Sequence, residues 1–135
     1  TAIIEAKAVV ENIVNGNSRK PDHKGIPSVA FTIPPLAMVG MTEKSLQERG
    51  IAYQKTFKDT SGNFTSRRIG LKHSASKLLL EKDNGKILGA HLLEHHAEET
   101  INIFALAIRL GLTVKDLKKA VWSYPSSIYN IQDLM

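Results

Sequence analysis

The chain has 135 residues, 42% of them apolar, and a formal net charge of +5, which suits one hydrophobic core and a single domain with at most a short extra segment. The absence of cysteine excludes disulfide staples, thiolate zinc sites and a cysteine nucleophile within these residues, and the longest unbroken apolar run, Ile103 to Ile108, falls far short of the ~20 residues that span a bilayer. The basic residues are scattered, densest at Arg19-Lys20, Arg67-Arg68 and Lys115 with Lys118-Lys119, and Phe64 alone lies among them as an aromatic, so a solvated surface is favoured over a nucleic-acid footprint.

Thr1 opens the chain with no secretory signal pattern behind it, and the sequence is expected to be a piece of a longer polypeptide. Ile3, Ile4, Ala6, Val9, Val10, Ile13 and Val14 alternate with Glu5, Lys7, Glu11 and Asn12 at helical spacing, which predicts an amphipathic helix over Ala2 to Val14. Asn15-Gly16-Asn17 ends it, and Ser18 to Gly25, with Pro21, reads as a loosely packed linker. Ser28 to Ile33 is β-prone, Pro34-Pro35 interrupts, and Leu36 to Val39 resumes, a pattern confined to a sheet edge or a bend.

Thr42 and Glu43 open a short helix that stops near Arg49-Gly50. Ile51 to Lys58 is expected to be a strand with Tyr53, Lys55 and Phe57 on one face, followed by a turn over Asp59 to Asn63. Lys77 to Asp83 and Lys86 to Leu93 flank Asn84-Gly85, the signature of a two-residue type I′ hairpin with positive φ at both central positions. Leu78, Leu79 and Leu80 are consecutive, which predicts a strand covered on both faces, and Gly89 marks a close approach of another backbone or helix.

Ala97 to Leu110 is the strongest helix and stops at Gly111. At about 100° per residue, Ala97, Ile101, Phe104, Ala105 and Ile108 form one apolar stripe, while Ile103, Leu106, Ala107 and Leu110 form a second on the far side. Such a helix packs on its own sheet and on something more, whether a second subunit, a neighbouring domain or a third layer. Thr113 with Asp116 opens a helix over Val114 to Val121. Ser123 or Ser126 then precedes a last helix carrying Ile128, Ile131, Leu134 and Met135, with Pro125 in the intervening turn.

Several motifs recur in one order: Phe31-Thr32-x-Pro34, Ala37-x-Val39-Gly40-x-Thr42-Glu43, the Lys77 strand, Lys86-Ile87-Leu88-Gly89, Ala97-x-Glu99, Gly111-Leu112-Thr113, and residue 124 before Pro125-Ser126. Over residues 26 to 135 the chain therefore resembles the C-terminal dimerisation domain of the FAD-dependent pyridine-nucleotide disulfide oxidoreductases, such as glutathione reductase, mercuric reductase and dihydrolipoamide dehydrogenase. The resemblance implies an α+β fold with a mixed, mainly antiparallel sheet of about four or five strands and packed helices. It also implies that residues 1–24 are the closing helix and linker of a preceding FAD-binding domain, and that residues 25–135 dimerise the parent enzyme. FAD and NAD(P) would belong to the parent chain and no cofactor to this piece. The expected partners are a second copy and the neighbouring FAD-binding domain, with no nucleic acid and no membrane, in the cytoplasm.

In the family the residue before the proline is a histidine that serves the redox thiols of the opposite subunit, and the bond between them is cis. Here that position is Tyr124, and the family's orienting carboxylate, five residues later, is Tyr129. Pro35 stands where the family commonly has Glu, and Asp133 inherits no role. An imidazole titrating near ~6.5 exchanges protons with a thiol at neutral pH, whereas a phenol near ~10 donates a hydrogen bond and is a poor base. Tyr124 reads equally as an active-site donor or as an interface packing residue. Phe104, Ile108, Tyr124 and Pro125 are the expected interface residues.

His91, His95 and His96 lie near Glu94, Glu98 and Glu99, but no zinc motif fixes their convergence, and Glu99 is expected to help set the helix start. No Gly-x-Gly-x-x-Gly turn supplies a dinucleotide cradle, and Ser126-Ser127 has no base beside it and suits a helix cap. A stand-alone interaction domain for an acidic partner or nucleic acid is the alternative reading, and a purely structural dimer without a disulfide substrate is a third.

Overall fold

A computed structural model describes residues 1–133. In chain order the elements are α1 (Ala2–Asn15), β1 (Ser28–Ala30), β2 (Leu36–Gly40), α2 (Glu43–Glu48), β3 (Tyr53–Asp59), α3 (Phe64–Arg68), β4 (Ala75–Glu81), β5 (Ile87–Leu93), α4 (Ala97–Leu110) and α5 (Val114–Lys119). A 3-10 helix, Ser127–Asp133, closes the described chain, and Leu134 and Met135, expected on the last helix, lie outside it. The five strands form one sheet in the order β1-β2-β5-β4-β3. Every pairing among them is antiparallel, so the parallel element implied by a mixed sheet is absent from the described residues.

One face of this sheet builds the main core. Ala37, Val39, Leu78, Leu80, Ala90 and Leu92 meet Ala97, Ile101, Phe104 and Ala107 of α4, and Val114, Leu117 and Ile131 extend the cluster towards the C-terminus. Leu46 of α2 and Leu79 of β4 are equally buried but stand outside that cluster, as the three consecutive leucines require when successive side chains alternate between faces. Gly89 shows how closely the second face is covered. A Cβ there would lie 2.2 Å from the Met41 carbonyl oxygen, and the Met41 N–H donates to the Leu88 carbonyl at 2.9 Å.

The helix ends follow their capping chemistry. Thr42 accepts from the Ser45 N–H, and Thr113 and Asp116 form a reciprocal capping box on α5. Hydrogen bonds from Thr113 and Lys119 hold the Asp116 carboxyl well below the usual carboxylate range. Instead of running to Val121, α5 stops at Lys119, where Ala120 turns extended and the Trp122 indole N–H donates to the Leu117 carbonyl at 3.0 Å. That bond satisfies an end carbonyl and turns the chain back.

Two expectations need correction, and a further element has no expectation behind it. The β4–β5 loop runs over Lys82 to Gly85: Glu81 N–H donates to the Lys86 carbonyl and Gly85 N–H to the Glu81 carbonyl. Gly85 has positive φ but Asn84 does not, so the turn is not type I′. The Asn84 side chain instead bonds Glu81 and the Lys86 N–H. Second, the segment 18–24 is tethered rather than loose: Arg109 pairs with Asp22 at 2.7 Å and donates to the Lys24 carbonyl, while Lys24 donates to the Arg109 carbonyl. Arg19 pairs with Glu11, and His23 with Glu5. The further element, α3, occupies a stretch for which local periodicity predicts nothing.

Candidate functional site

The C-terminal end of the domain carries the residues singled out by the motif order. Tyr124-Pro125 is cis, as is Ile33-Pro34. Tyr124 is 63% exposed and stands in an aromatic group, edge-on to Tyr129 with ring centres 4.9 Å apart and tilted against Phe64 of α3 at 5.8 Å. Both tyrosines thus reach one surface, and each braces the other.

The segment beneath them is held from below. Ser126 Oγ donates to the Ser123 carbonyl at 2.6 Å, and its own carbonyl accepts from the Tyr129 N–H. Ser127 Oγ donates to the His95 carbonyl at 2.8 Å, so this serine ties the turn to the α4 corner. Asn130 is buried and donates to Thr65 Oγ1 at 3.2 Å. The pair of serines therefore fastens the backbone, and neither caps a helix through its side chain.

Beside the turn, Pro125 lines a cleft of about 500 Å³ whose walls include Arg68, His95, His96 and Glu99. The two imidazoles lie with ring centres 3.7 Å apart. His96 takes left-handed backbone geometry at the start of α4, and Glu98 and Glu99 occupy the first turn of that helix, where carboxylates complement the helix dipole. Among the described residues no three His, Cys, Asp or Glu side chains converge as a metal set. His91 is elsewhere, on the second face of the sheet. Burial, aided by Lys77, pushes its pKa down, and Lys77 and Lys55 hold Glu43 below the usual range through hydrogen bonds.

Of the four expected interface residues, one offers no surface and one only a part of its surface. Phe104 is 0% exposed and belongs to the core, and Ile108 is half-buried against it with its Cδ1 facing Gly40. The sheet claims the stripe containing Phe104, because that stripe is bulkier and continuous with Ala97 and Ile101. Ala107, assigned to the far stripe, is buried too, while Leu106 and Leu110 are left in solvent at 53% and 62% exposure. Tyr124 and Pro125 stay exposed.

A carboxyl that motif order does not single out is buried next to this segment. Glu94, at the β5–α4 corner, is buried, and burial pushes its pKa up to about 7 against the opposing hydrogen bonds of Thr100 and Asn130. Strand alternation carries the signal for it: Ala90, Leu92 and Glu94 fall on one face, and that face is the core.

Known proteins are similar to this chain in sequence and fold. Residues 26–134 match the profile of the pyridine nucleotide-disulphide oxidoreductase dimerisation domain. A 19.7 kDa uncharacterised protein in the mercuric resistance operon of Staphylococcus aureus is 37% identical over 99% of this chain and 74% of its own length. Mercuric reductase of Streptomyces lividans is 36% identical over 86% of this chain but 24% of its own length. Among solved structures, the Cu(II) complex of the HOCl-induced flavoprotein disulfide reductase RclA from Escherichia coli superposes with a TM-score of 0.85 at 26% identity, covering 98% of this chain and 30% of that one. The chain thus spans about a quarter to a third of the reductases it matches, and none of these relatives supports the reading as a nucleic-acid-binding module. On fold, motif order and sequence match together, the chain belongs to the dimerisation-domain family of the pyridine nucleotide-disulphide oxidoreductases.

Proposed function

We propose that this domain pairs two copies of a flavin-dependent NAD(P)H oxidoreductase and brings Tyr124 to the redox site of the opposite subunit. In that reading residues 1–24 belong to the neighbouring FAD-binding domain, and FAD and the nicotinamide are held by parts of the enzyme outside these residues. The dinucleotide chemistry is supplied there. This domain contributes binding and orientation only.

One observation carries the reading: Tyr124, at the position of the family's histidine, is an aromatic side chain left exposed on a turn whose backbone is fixed from beneath. Its hydroxyl serves as a hydrogen-bond donor to the substrate or to the redox sulfur. Tyr129, edge-on to it, limits the directions in which that hydroxyl can point. Because the relatives of this chain include a protein of a mercuric resistance operon and a mercuric reductase, Hg(II) belongs beside disulfides among the substrates to assay.

Tyr124→Phe in the full-length enzyme is the test. The substrate half-reaction should slow about tenfold, the worth of one hydrogen bond of about 1.4 kcal/mol, while reduction of the flavin by NAD(P)H keeps its rate. Unchanged turnover with an intact dimer would reduce Tyr124 to packing.

A further inference from the structure

The Glu94 carboxyl has no part in the role proposed for Tyr124, yet it lies under the segment on which that role depends. It is 3% exposed, and its Oε1 has no hydrogen-bond partner among the described residues. Its backbone is locked at the corner, with its N–H directed to the Pro35 carbonyl at 3.4 Å and its carbonyl accepting from the Ala97 N–H. Thr100 of α4 and Asn130 of the 3-10 helix stand beside the carboxyl, and Asn130 is bonded in turn to Thr65 of α3. Two elements therefore meet at one acidic group, and a third, α3, is linked to it through Asn130. A buried polar atom without a partner is costly, and an ionised one costs more.

We propose that Glu94 is a positioning residue for the C-terminal segment Tyr124 to Asp133, seating it when the carboxyl is neutral and loosening it when the carboxyl is charged. Thr100 and Asn130 donate to the carboxyl and by themselves favour its charged form, but burial outweighs them, because ionisation leaves a charge beside the unpartnered Oε1 that a neutral carboxyl does not. Burial is the first cause of the rise in its pKa to about 7. The charged and titratable groups on the surrounding elements are Arg67 and Arg68 on α3, His95, His96, Glu98 and Glu99 at the start of α4, and Tyr129 and Asp133 on the 3-10 helix; none is among the causes of that rise. For a carboxyl raised from 4.5 to about 7 in the seated form, that form binds the extra proton between those values. Seating is thus strongest below pH ~4.5 and is lost as pH rises through about 7.

The consequence for chemistry rests on the role proposed for Tyr124, but the seating itself does not, so the experiment reads the segment directly. The 135-residue chain is titrated by NMR from pH 4.5 to 8.5, following the ring signals of Tyr124 and Tyr129, the indole N–H of Trp122, and the side-chain carboxyl carbon of Glu94. The ring signals and the Glu94 carboxyl should move together with one midpoint near 7. Glu94→Gln, which keeps the shape without the charge, should hold the low-pH spectrum throughout, and a His95→Gln/His96→Gln variant should keep the transition. The proposal is overturned if the rings do not respond to pH in the wild type, if Glu94→Gln retains the transition, or if the Glu94 carboxyl titrates at a different midpoint. Should Glu94→Gln fail to fold, the coincidence of midpoints in the wild type decides alone. A positive titration with a normal Tyr124→Phe turnover would leave the seating intact and remove only the catalytic role of Tyr124.

Discussion

Gly89 and Tyr124 exert opposite constraints at the scale of one residue. The glycine is needed for what it lacks: with Met41 carbonyl oxygen 2.2 Å from where its Cβ would stand, and backbone rather than a flexible side chain in the way, a methyl group forces β5 and the β2–α2 turn apart. Gly89→Ala should lower the unfolding free energy by about 1–3 kcal/mol, read as a drop in the urea midpoint at constant slope. A midpoint within error of the wild type would show that the turn yields freely. The need for close approach at Gly89 is readable in the sequence, since a glycine inside a leucine-rich strand has few other uses; that its neighbour is the Met41 carbonyl is not. Tyr124 is the reverse case. Its place before Pro125 is plain from the sequence, but its exposure and its contacts with Tyr129 and Phe64 depend on α3, which no periodicity announces.

Among the elements, α4 and α1 differ in what fixes them. Both are amphipathic helices of 14 residues, yet α4 buries five side chains and α1 buries Ala8 alone. Ile3, Val10 and Ile13 of α1 remain exposed, and its polar face is tied to the linker through Glu5, Glu11 and Asn12. Arg109, 87 positions from Asp22 in sequence, fastens that linker to the end of α4. Because the linker is nonetheless exposed along most of its length, limited trypsin digestion should still cut first within residues 15–25, and Arg109→Ala should speed that cut a fewfold. First cleavage inside β4 or β5 would refute a weakly held N-terminal segment.

At the scale of the whole molecule, the apolar surface left by folding is distributed as in a subunit. Leu106 and Leu110 stand one turn apart on α4, Tyr124, Tyr129 and Phe64 group at the C-terminal end, and Leu36 and Phe57 face outward from the sheet. A two-fold contact buries one such patch twice. Sedimentation equilibrium should find a dimer at tens of micromolar, and Leu106→Glu with Leu110→Glu should weaken it at least about tenfold, since burying like charges without a partner costs more than about 1.4 kcal/mol. A monomer in both proteins would place the pairing surface outside this domain.

The local sequence by itself determined the elements whose causes lie within a few residues. The caps at Thr42 and Thr113, the stop at Gly111, the strand pair around Asn84-Gly85 and the extent of α4 each depend on neighbours along the chain. Motif order determined the family, because spacing between such elements survives substitution within them. Only the tertiary structure decided which stripe of α4 the sheet would take, so Phe104 went to the core and Leu106 to the surface. It likewise decided the tether at Arg109, the anchors from Ser127 to His95 and from Asn130 to Thr65, and the burial of Glu94. In each case the partner is distant in sequence, and its proximity follows from how the sheet, α4 and the C-terminal segment pack together rather than from any local preference of the chain.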